Sequence, residues 1–297
     1  MHRRAATNLQ LQAGHPLTDR RQAQFDLERQ LRERILRAAP KDRAEAVGAA
    51  YAELFRAFPD HSLLRTSQEQ RLLHGRQDAG IVLPLSKPGD AVLEIGCGTG
   101  HVLAELARHG RKCVGTEASA EMIALCPRVP DLRVMLGTAD RLDFPPCSFD
   151  LAFSLQVLEH LHPDDVPVHL AECYRVLRPG GVLCVETPNV RTGPSDISRG
   201  FVPVAQGLHL KEWSVAELIV EFRRAGFRRV QGLLAPHFLA RRSPRIHRCF
   251  RVSATVKWLQ DLALAAVPGF SFRKLFAKVM QVDNILLFGH KPRSEGP

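Results

Sequence analysis

The segment Val92-Leu93-Glu94-Ile95-Gly96-Cys97-Gly98-Thr99-Gly100 sets an acidic side chain against alternating glycines. Glycines after an apolar strand let the backbone turn tightly and approach a ligand where a Cβ would clash. The spacing is G-x-G-x-G. A dinucleotide site shows G-x-G-x-x-G, and a phosphate-binding Walker loop needs Gly-Lys-Ser/Thr. Glu94 would repel a phosphate and suits a cationic ligand, such as an amino-acid ammonium. A plain glycine-rich strand-to-helix turn is the bland alternative.

Other groups with chemical potential recur after successive apolar runs. Glu117 stands some twenty residues beyond the loop, at the end of the second run, where a carboxylate can accept two hydrogen bonds from a ribose diol. A solvated turn carboxylate is the alternative. Glu159 and His160 lie in Ser154-Leu155-Gln156-Val157-Leu158-Glu159-His160-Leu161, which follows the fourth run. Ligands of open parallel sheets lie beyond the carboxyl ends of the strands, so both side chains are expected to face the reaction space. His160 is the first candidate for a general base, since an unperturbed imidazole titrates near neutrality. A structural histidine bonded within the following helix is the competing reading.

The elements that must position these groups alternate. Strands are expected at 91–95, 112–116, 132–135, 149–154 and 181–186, with helices at 102–108, 120–126 and 167–176. That order predicts a parallel sheet covered on both faces. Further on, a helix is expected at 215–225 and strands at 228–234 and 284–289. Upstream, helices are expected at 20–39, 45–58 and 67–83, each stopped by a proline. Ser214 reads as a helix N-cap with Glu217 completing a capping box. His162-Pro163-Asp164-Asp165 reads as a helix start, and Pro179-Gly180 as a turn into the next strand.

The glycine loop and the order of the later motifs resemble the class I S-adenosylmethionine-dependent methyltransferases, over about 85–235 plus the last strand. The resemblance implies an α/β fold: a doubly wound, mostly parallel seven-stranded sheet (Rossmann-like) with an antiparallel last strand. It also implies S-adenosyl-L-methionine as cofactor and S-adenosyl-L-homocysteine as product. Glu94, Gly96, Cys97, Gly98 and Gly100 would then cradle the methionine half of the donor, and Glu117 its ribose. Ala118 and Met122 would flank the adenine, and Ala139 and Asp140 would meet its amino group, unless Asp140 is a helix N-cap. Leu155 and Gln156 would touch the donor.

The segments around Thr187-Pro188-Asn189 and His209-Leu210-Lys211-Glu212-Trp213 resemble the subgroup of ubiquinone-type, sugar and natural-product O-methyltransferases. Asn189 and His209 would orient the acceptor there, His209 being the alternative base, with Trp213 packed as core beneath them. Some relatives bind a divalent metal through E-x-x-E-H. Gln156 replaces the first of those carboxylates, and an amide is a poorer ligand for a hard cation, so no metal is expected.

The 297 residues are 45% hydrophobic and 24% charged, which suits one full core with appendages. The organisation expected is a helical extension at 1–84 with about the first twenty residues disordered, a donor-binding core at 85–235, a basic insert or lid at 236–281, and the last strand and tail at 282–297. No run of about 20 apolar residues and no signal-peptide pattern occurs, so a cytoplasmic protein is expected. Seven scattered cysteines without a C-x-x-C pair point to buried reduced thiols.

The net charge of +10 is concentrated between Pro236 and Gln281, where nine basic residues face only Asp261. Aromatic residues interleave with them, and 256–267 fits an amphipathic helix. A lid over the acceptor site, a patch for an anionic membrane, a nucleic-acid surface and a solvated helical face remain open for this stretch. The acceptor class expected is a small molecule, glycan or lipid-linked compound. Nucleic acid is disfavoured, since no Asn/Asp-Pro-Pro-Tyr motif follows the fourth strand. RNA or protein methylation, or a non-catalytic donor-binding subunit, are the rival functions.

Overall fold

The computed structural model describes residues 16–233, 251–269, 272–273, 275–277 and 283–293. Its strands are β1 (Ala91–Ile95), β2 (Lys112–Glu117), β3 (Leu132–Leu136), β4 (Phe149–Leu155), β5 (Leu177–Pro188), β6 (Arg229–Leu233), β7 (Arg251–Ser253) and β8 (Asn284–His290). They form one sheet in the order β3-β2-β1-β4-β5-β8-β6-β7. The first five run parallel, and β8 inserts antiparallel between β5 and β6. The expected count of seven strands is exceeded by β7, which the basic stretch adds outside β6. The strand order reverses between β1 and β4, which opens a crevice at their carboxyl ends.

Consecutive residues of the central strands bury opposite faces. Leu93, Leu183 and Leu287 pack with Leu170 and Phe222, while Val92, Cys184 and Phe288 pack with Val82, Leu103 and Leu106. The helices on these faces are α4 (Gln68–Val82) and α5 (His101–Arg108) on one side, α7 (Val166–Val176) and α8 (Val215–Arg224) on the other. Each fully buried Leu or Phe contributes about 1.5–3 kcal/mol relative to exposure.

The N-terminal helices are α1 (Pro16–Arg37), α2 (Arg43–Ala57) and the single turn α3 (Ser62–Arg65). Leu31, Ile35, Ala50 and Leu54 close a small second core over Leu208 and Leu210. Polar ties reinforce the docking. Glu28 Oε2 accepts from the Leu208 N–H at 3.2 Å, and Arg32 donates to the Leu210 carbonyl at 3.1 Å. Arg43 pairs with Asp165 and lies 3.4 Å from Asp164. The two aspartates expected at a helix start therefore also clamp the N-terminal extension.

Several local expectations need correction. α1 begins at Pro16, so only 1–15 of the segment expected to be disordered lie outside the described residues. The helix expected at 120–126 is the single turn α6 (Ala120–Ile123), because Pro127 disfavours helical backbone at Cys126. Pro179-Gly180 is no entry turn. β5 already pairs at Leu177, and the register jumps from Phe149↔Leu177 to Leu151↔Val182 across a bulge containing Gly180 at φ 84°. The helix of the basic stretch, α9, spans Ala254–Ala266. Cys97, Cys113, Cys173 and Cys184 are buried cysteines outside any disulfide, Cys126 is half-buried and Cys147 is exposed, while Cys249 lies outside the described residues. Among the described residues, no helix is long and apolar enough to cross a membrane.

Candidate active site

The glycine loop leaves β1 in left-handed backbone, with φ of 68°, 51° and 66° at Gly96, Gly98 and Gly100. Side chains rarely tolerate that conformation. The N–H groups of Gly96 and Cys97 donate to the Thr116 carbonyl at 2.8 and 3.0 Å, which moors the loop to β2. A Cβ on Gly96 would lie 2.6 Å from Val157, whereas one on Gly98 would meet nothing within 4 Å. The loop is thus closed against β4 on one side and open at Gly98.

Glu94 is 4% exposed, and its Oε2 finds no hydrogen-bond partner among the described residues. Burial, then Asp78 and Glu117, push its carboxyl well above the usual carboxylate range. A buried carboxylate oxygen without a partner is costly, and an incoming ammonium would satisfy it. Glu117 accepts from Gly98 N–H at 2.8 Å through Oε2 and from Ser119 N–H at 2.9 Å through Oε1. Each carboxylate oxygen has a second lone-pair site, so capacity for a diol remains. Cys97 is buried, Ala118 exposed and Met122 half-buried beside the loop.

The other expected donor contacts share this edge of the sheet. The Ala139 carbonyl accepts from His169 Nδ1 at 2.9 Å, and His169 Nε2 lies 3.4 Å from Ser154 Oγ on β4. Asp140 is half-buried in a bend where no helix begins, which removes the N-cap alternative. Leu155 ends β4 half-buried. Gln156 is exposed, at φ 57°, with its N–H donated to the Glu186 carbonyl at 2.8 Å.

His160 and His209, far apart in sequence, meet edge to face with ring centroids 4.9 Å apart. His160 Nδ1 lies 3.0 Å from the Leu208 carbonyl, so that nitrogen carries the proton and Nε2 is the acceptor. Tyr51 Oη, from α2, lies 3.1 Å from the same Nδ1. Burial and the neighbouring His209 push His160 down to about 3, although 30% of its side chain remains exposed. His209 behaves oppositely. Burial pulls it down, but the 3.0 Å bond from Nδ1 to Glu212 and the charge of Glu159 outweigh this and raise it.

Glu159 is fully buried and raised to about 7 by burial, against the lowering influence of His209. Its Oε2 accepts from Thr187 at 2.9 Å, while Oε1, 4.0 Å from His160 Nε2, has no hydrogen-bond partner among the described residues. One ligand atom each from Glu159, His160 and His209 falls within 4.8 Å of the others, so the trio could hold a cation. Gln156 is not part of that trio.

Asn189 does not join the site. It is 3% exposed, donates from Nδ2 to Asp261 on α9 at 3.1 Å and accepts the Arg191 N–H at 2.9 Å. Its amide is consumed in docking the insert, which overturns the expected role in orienting an acceptor. Trp213 packs into the core at 4% exposure, and Ser214 with Glu217 forms the expected capping box. Tyr51 and Thr187 escape the sequence reading as site residues. Tyr51 sits on the inward stripe of α2 with Val47, Ala50 and Leu54, a pattern that signals burial but not its partner.

A family model described as "Methyltransferase domain" matches residues 93–185. A probable S-adenosylmethionine-dependent methyltransferase of Mycolicibacterium smegmatis is 36% identical over 47% of this chain and 52% of its own. A malonyl-[acyl-carrier protein] O-methyltransferase of Serratia marcescens is 28% identical over 48% of this chain and 52% of its own. The chain thus spans about half the length of these curated relatives. A solved S-adenosylmethionine-dependent methyltransferase of Archaeoglobus fulgidus shares the fold at a TM-score of 0.52, with 19% identity over 81% of this chain and 99% of that one.

Proposed function

We propose that this chain, which belongs to the class I S-adenosylmethionine-dependent methyltransferases, methylates an oxygen of a small-molecule, sugar or lipid-linked acceptor. The donor supplies a methyl group on a sulfonium that is already activated, so positioning carries much of the rate. Glu94 and the Gly96–Gly100 loop would hold its amino-acid end, with Cys97 at the loop's base. Glu117 would hold the ribose, Ala118, Met122, Ala139 and Asp140 the adenine, and Leu155 with Gln156 would close the edge at β4. The orphaned Oε2 of Glu94 supports that fit.

One observation carries the choice of oxygen. His160 commits its Nδ1–H to the Leu208 carbonyl, which leaves the Nε2 lone pair to take a proton, and the Glu159 carboxylate, 4.0 Å from Nε2, would offset the low basicity that burial gives the ring. An oxygen acceptor of high pKa needs such a base, while an amine often needs only to be neutral. Glu159 then compensates the imidazolium that forms. His209, whose pKa Glu212 and Glu159 raise against the pull of burial, would orient the acceptor and is the alternative base. The O-methyltransferase activity in the Serratia relative's name supports the same acceptor atom. We place this chemistry in the cytoplasm and without a metal.

The test is incubation of cell extract with methyl-labelled donor and identification of the labelled product by mass spectrometry. A labelled small hydroxyl compound, lost with His160→Ala, is the expected result. Label in RNA or protein, donor binding without any labelled product, or wild-type turnover by His160→Ala on the identified acceptor would overturn it. A second reading has one observation in its favour, the convergence of Glu159, His160 and His209. It predicts that activity is lost to a chelator and restored by magnesium or manganese. Undiminished turnover after chelation decides for the metal-free base.

A further inference from the structure

His160 has two partners at one ring nitrogen, and they differ in what they allow. The Leu208 carbonyl lies 3.0 Å from Nδ1 and can only accept. The Tyr51 hydroxyl lies 3.1 Å from the same atom and can accept or donate. With the carbonyl in place, Nδ1 keeps its proton, Nε2 keeps its lone pair and Tyr51 shares the proton as an acceptor. With the carbonyl displaced, Tyr51 can donate to Nδ1, and the ring proton then sits on Nε2. The position of one backbone oxygen therefore selects the tautomer.

That oxygen is placed by the N-terminal helices. Leu208 and Leu210 sink into the small core closed by Leu31, Ile35, Ala50 and Leu54, and His209 between them meets His160. Glu28 and Arg32, one turn apart on α1, hold the backbone of the two leucines. Glu28 Oε2 accepts the Leu208 N–H at 3.2 Å, and Arg32 donates to the Leu210 carbonyl at 3.1 Å. From the opposite side the Glu159 carbonyl accepts the Leu210 N–H at 2.6 Å. The preceding N–H, of Gly207, is tied within its own loop to Asp196 Oδ2 at 2.8 Å. A Cβ on Gly207 would fall 2.7 Å from both Asp196 Oδ2 and Glu28 Oε2, so glycine lets the loop seat this closely on Glu28. Glu28 is 5% exposed, and Gln24 donates to its Oε1 at 2.8 Å. Apolar packing alone would dock α1, and burying a carboxylate is costly. What Glu28 adds is a fixed place for Leu208.

We propose that Glu28 is a positioning residue of the active site: by holding the Leu208 backbone it keeps the proton of His160 on Nδ1 and the lone pair on Nε2. It acts through the loop rather than on the reacting atoms, and it makes the N-terminal helices part of the catalytic unit. The consequence for turnover rests on the reading of His160 as base, while the tautomer itself does not.

Full-length protein labelled in its histidine ring nitrogens reports the tautomer by NMR, with His160 assigned from the signals that His160→Gln removes. Wild type should show a protonated Nδ1 and a bare Nε2. Glu28→Ala should shift His160 toward the Nε2-protonated form. It should also slow label transfer from methyl-labelled donor into cell extract by at least about fivefold, with unchanged calorimetric affinity for S-adenosylhomocysteine. Glu28→Gln keeps an oxygen for the Leu208 N–H and an amide for Gln24, so it should restore both tautomer and rate. Gly207→Ala crowds the same contact from the loop side and should shift the tautomer as Glu28→Ala does, which keeps the test open should the latter fail to fold. Wild type with its proton on Nε2, an unshifted tautomer in the folded variants, or a Glu28→Gln variant as impaired as Glu28→Ala would overturn the proposal. A shifted tautomer with wild-type label transfer would uphold the role of Glu28 and remove His160 as base.

Discussion

Replacing Glu94 with Gln should move two properties in opposite directions. The side chain is 4% exposed, and its Oε2 has no hydrogen-bond partner among the described residues. Its carboxyl is raised well above the ordinary range by burial, with Asp78 of α4 and Glu117 of β2 adding like charge. A carboxyl whose folded-state pKa lies above its unfolded value favours folding in its protonated form. That contribution is complete below the unfolded pKa and is lost as pH rises through the folded one. Above the ordinary carboxylate range the wild-type protein without ligand must therefore hold on Glu94 a proton that the unfolded chain releases, or bury the charge at higher pH, and Glu94→Gln removes this cost. The variant should melt higher than wild type at pH 8, with the difference shrinking toward pH 4. Ionised against an incoming cation, the same carboxylate should hold the ammonium of the ligand. A charge-assisted hydrogen bond is worth about 1.5–3 kcal/mol, or roughly 10- to 150-fold in affinity for S-adenosylhomocysteine. Calorimetry and thermal melts across that pH range measure both effects. Unchanged affinity, or a variant less stable than wild type at pH 8, would refute the assignment of Glu94 as the ammonium's partner.

Glu117→Ala loses both backbone clamps and, with them, the proposed ribose acceptors, and should weaken S-adenosylhomocysteine binding by at least about tenfold; unchanged affinity in calorimetry would remove the ribose role. Tyr51→Phe removes one neutral hydrogen bond beside His160 Nδ1, 3.1 Å away. It should lower kcat about 2- to 12-fold with the donor's KM unchanged, and a fall in donor affinity alone would assign Tyr51 to the wall of the donor site. Glu159 titrates at about 7, raised by burial, so the charge that balances a protonated His160 is present only above that pH. Turnover should rise with pH through about 7 in wild type and lose that limb in Glu159→Gln, as a pH profile of kcat would show.

Much of the local geometry around the glycine loop was legible because its signals are local. The Gly96–Gly100 turn, the buried run around it and Glu117 at the end of β2 each follow from short-range rules: glycine where a Cβ clashes, a carboxylate after a strand, a ligand beyond a strand's end. The alternation of strands and helices likewise specified the parallel sheet, since burial on both faces requires apolar runs separated by covering helices. Cross-chain partnerships are another matter. Asn189 looked like an acceptor contact, yet its amide is consumed by Asp261, 72 residues away. Tyr51 carries no signal beyond its place on the apolar stripe of α2, yet it reaches His160 109 residues on.

The amino-acid order by itself determined the strand-and-helix alternation, the glycine turn and the acidic side chains at the strand ends. Only the folded chain decided which hydrogen bonds the two histidines make, because the Leu208 carbonyl that accepts the Nδ1–H of His160 and the Glu212 carboxylate bonded to His209 arrive from the loop before α8. It also decided which way α9 faces. Periodicity reports that one side of a helix is apolar, but Lys257 and Asp261 find their partners on β6 and after β5, and those bonds bury the two charged side chains beside Ala254 and Leu264.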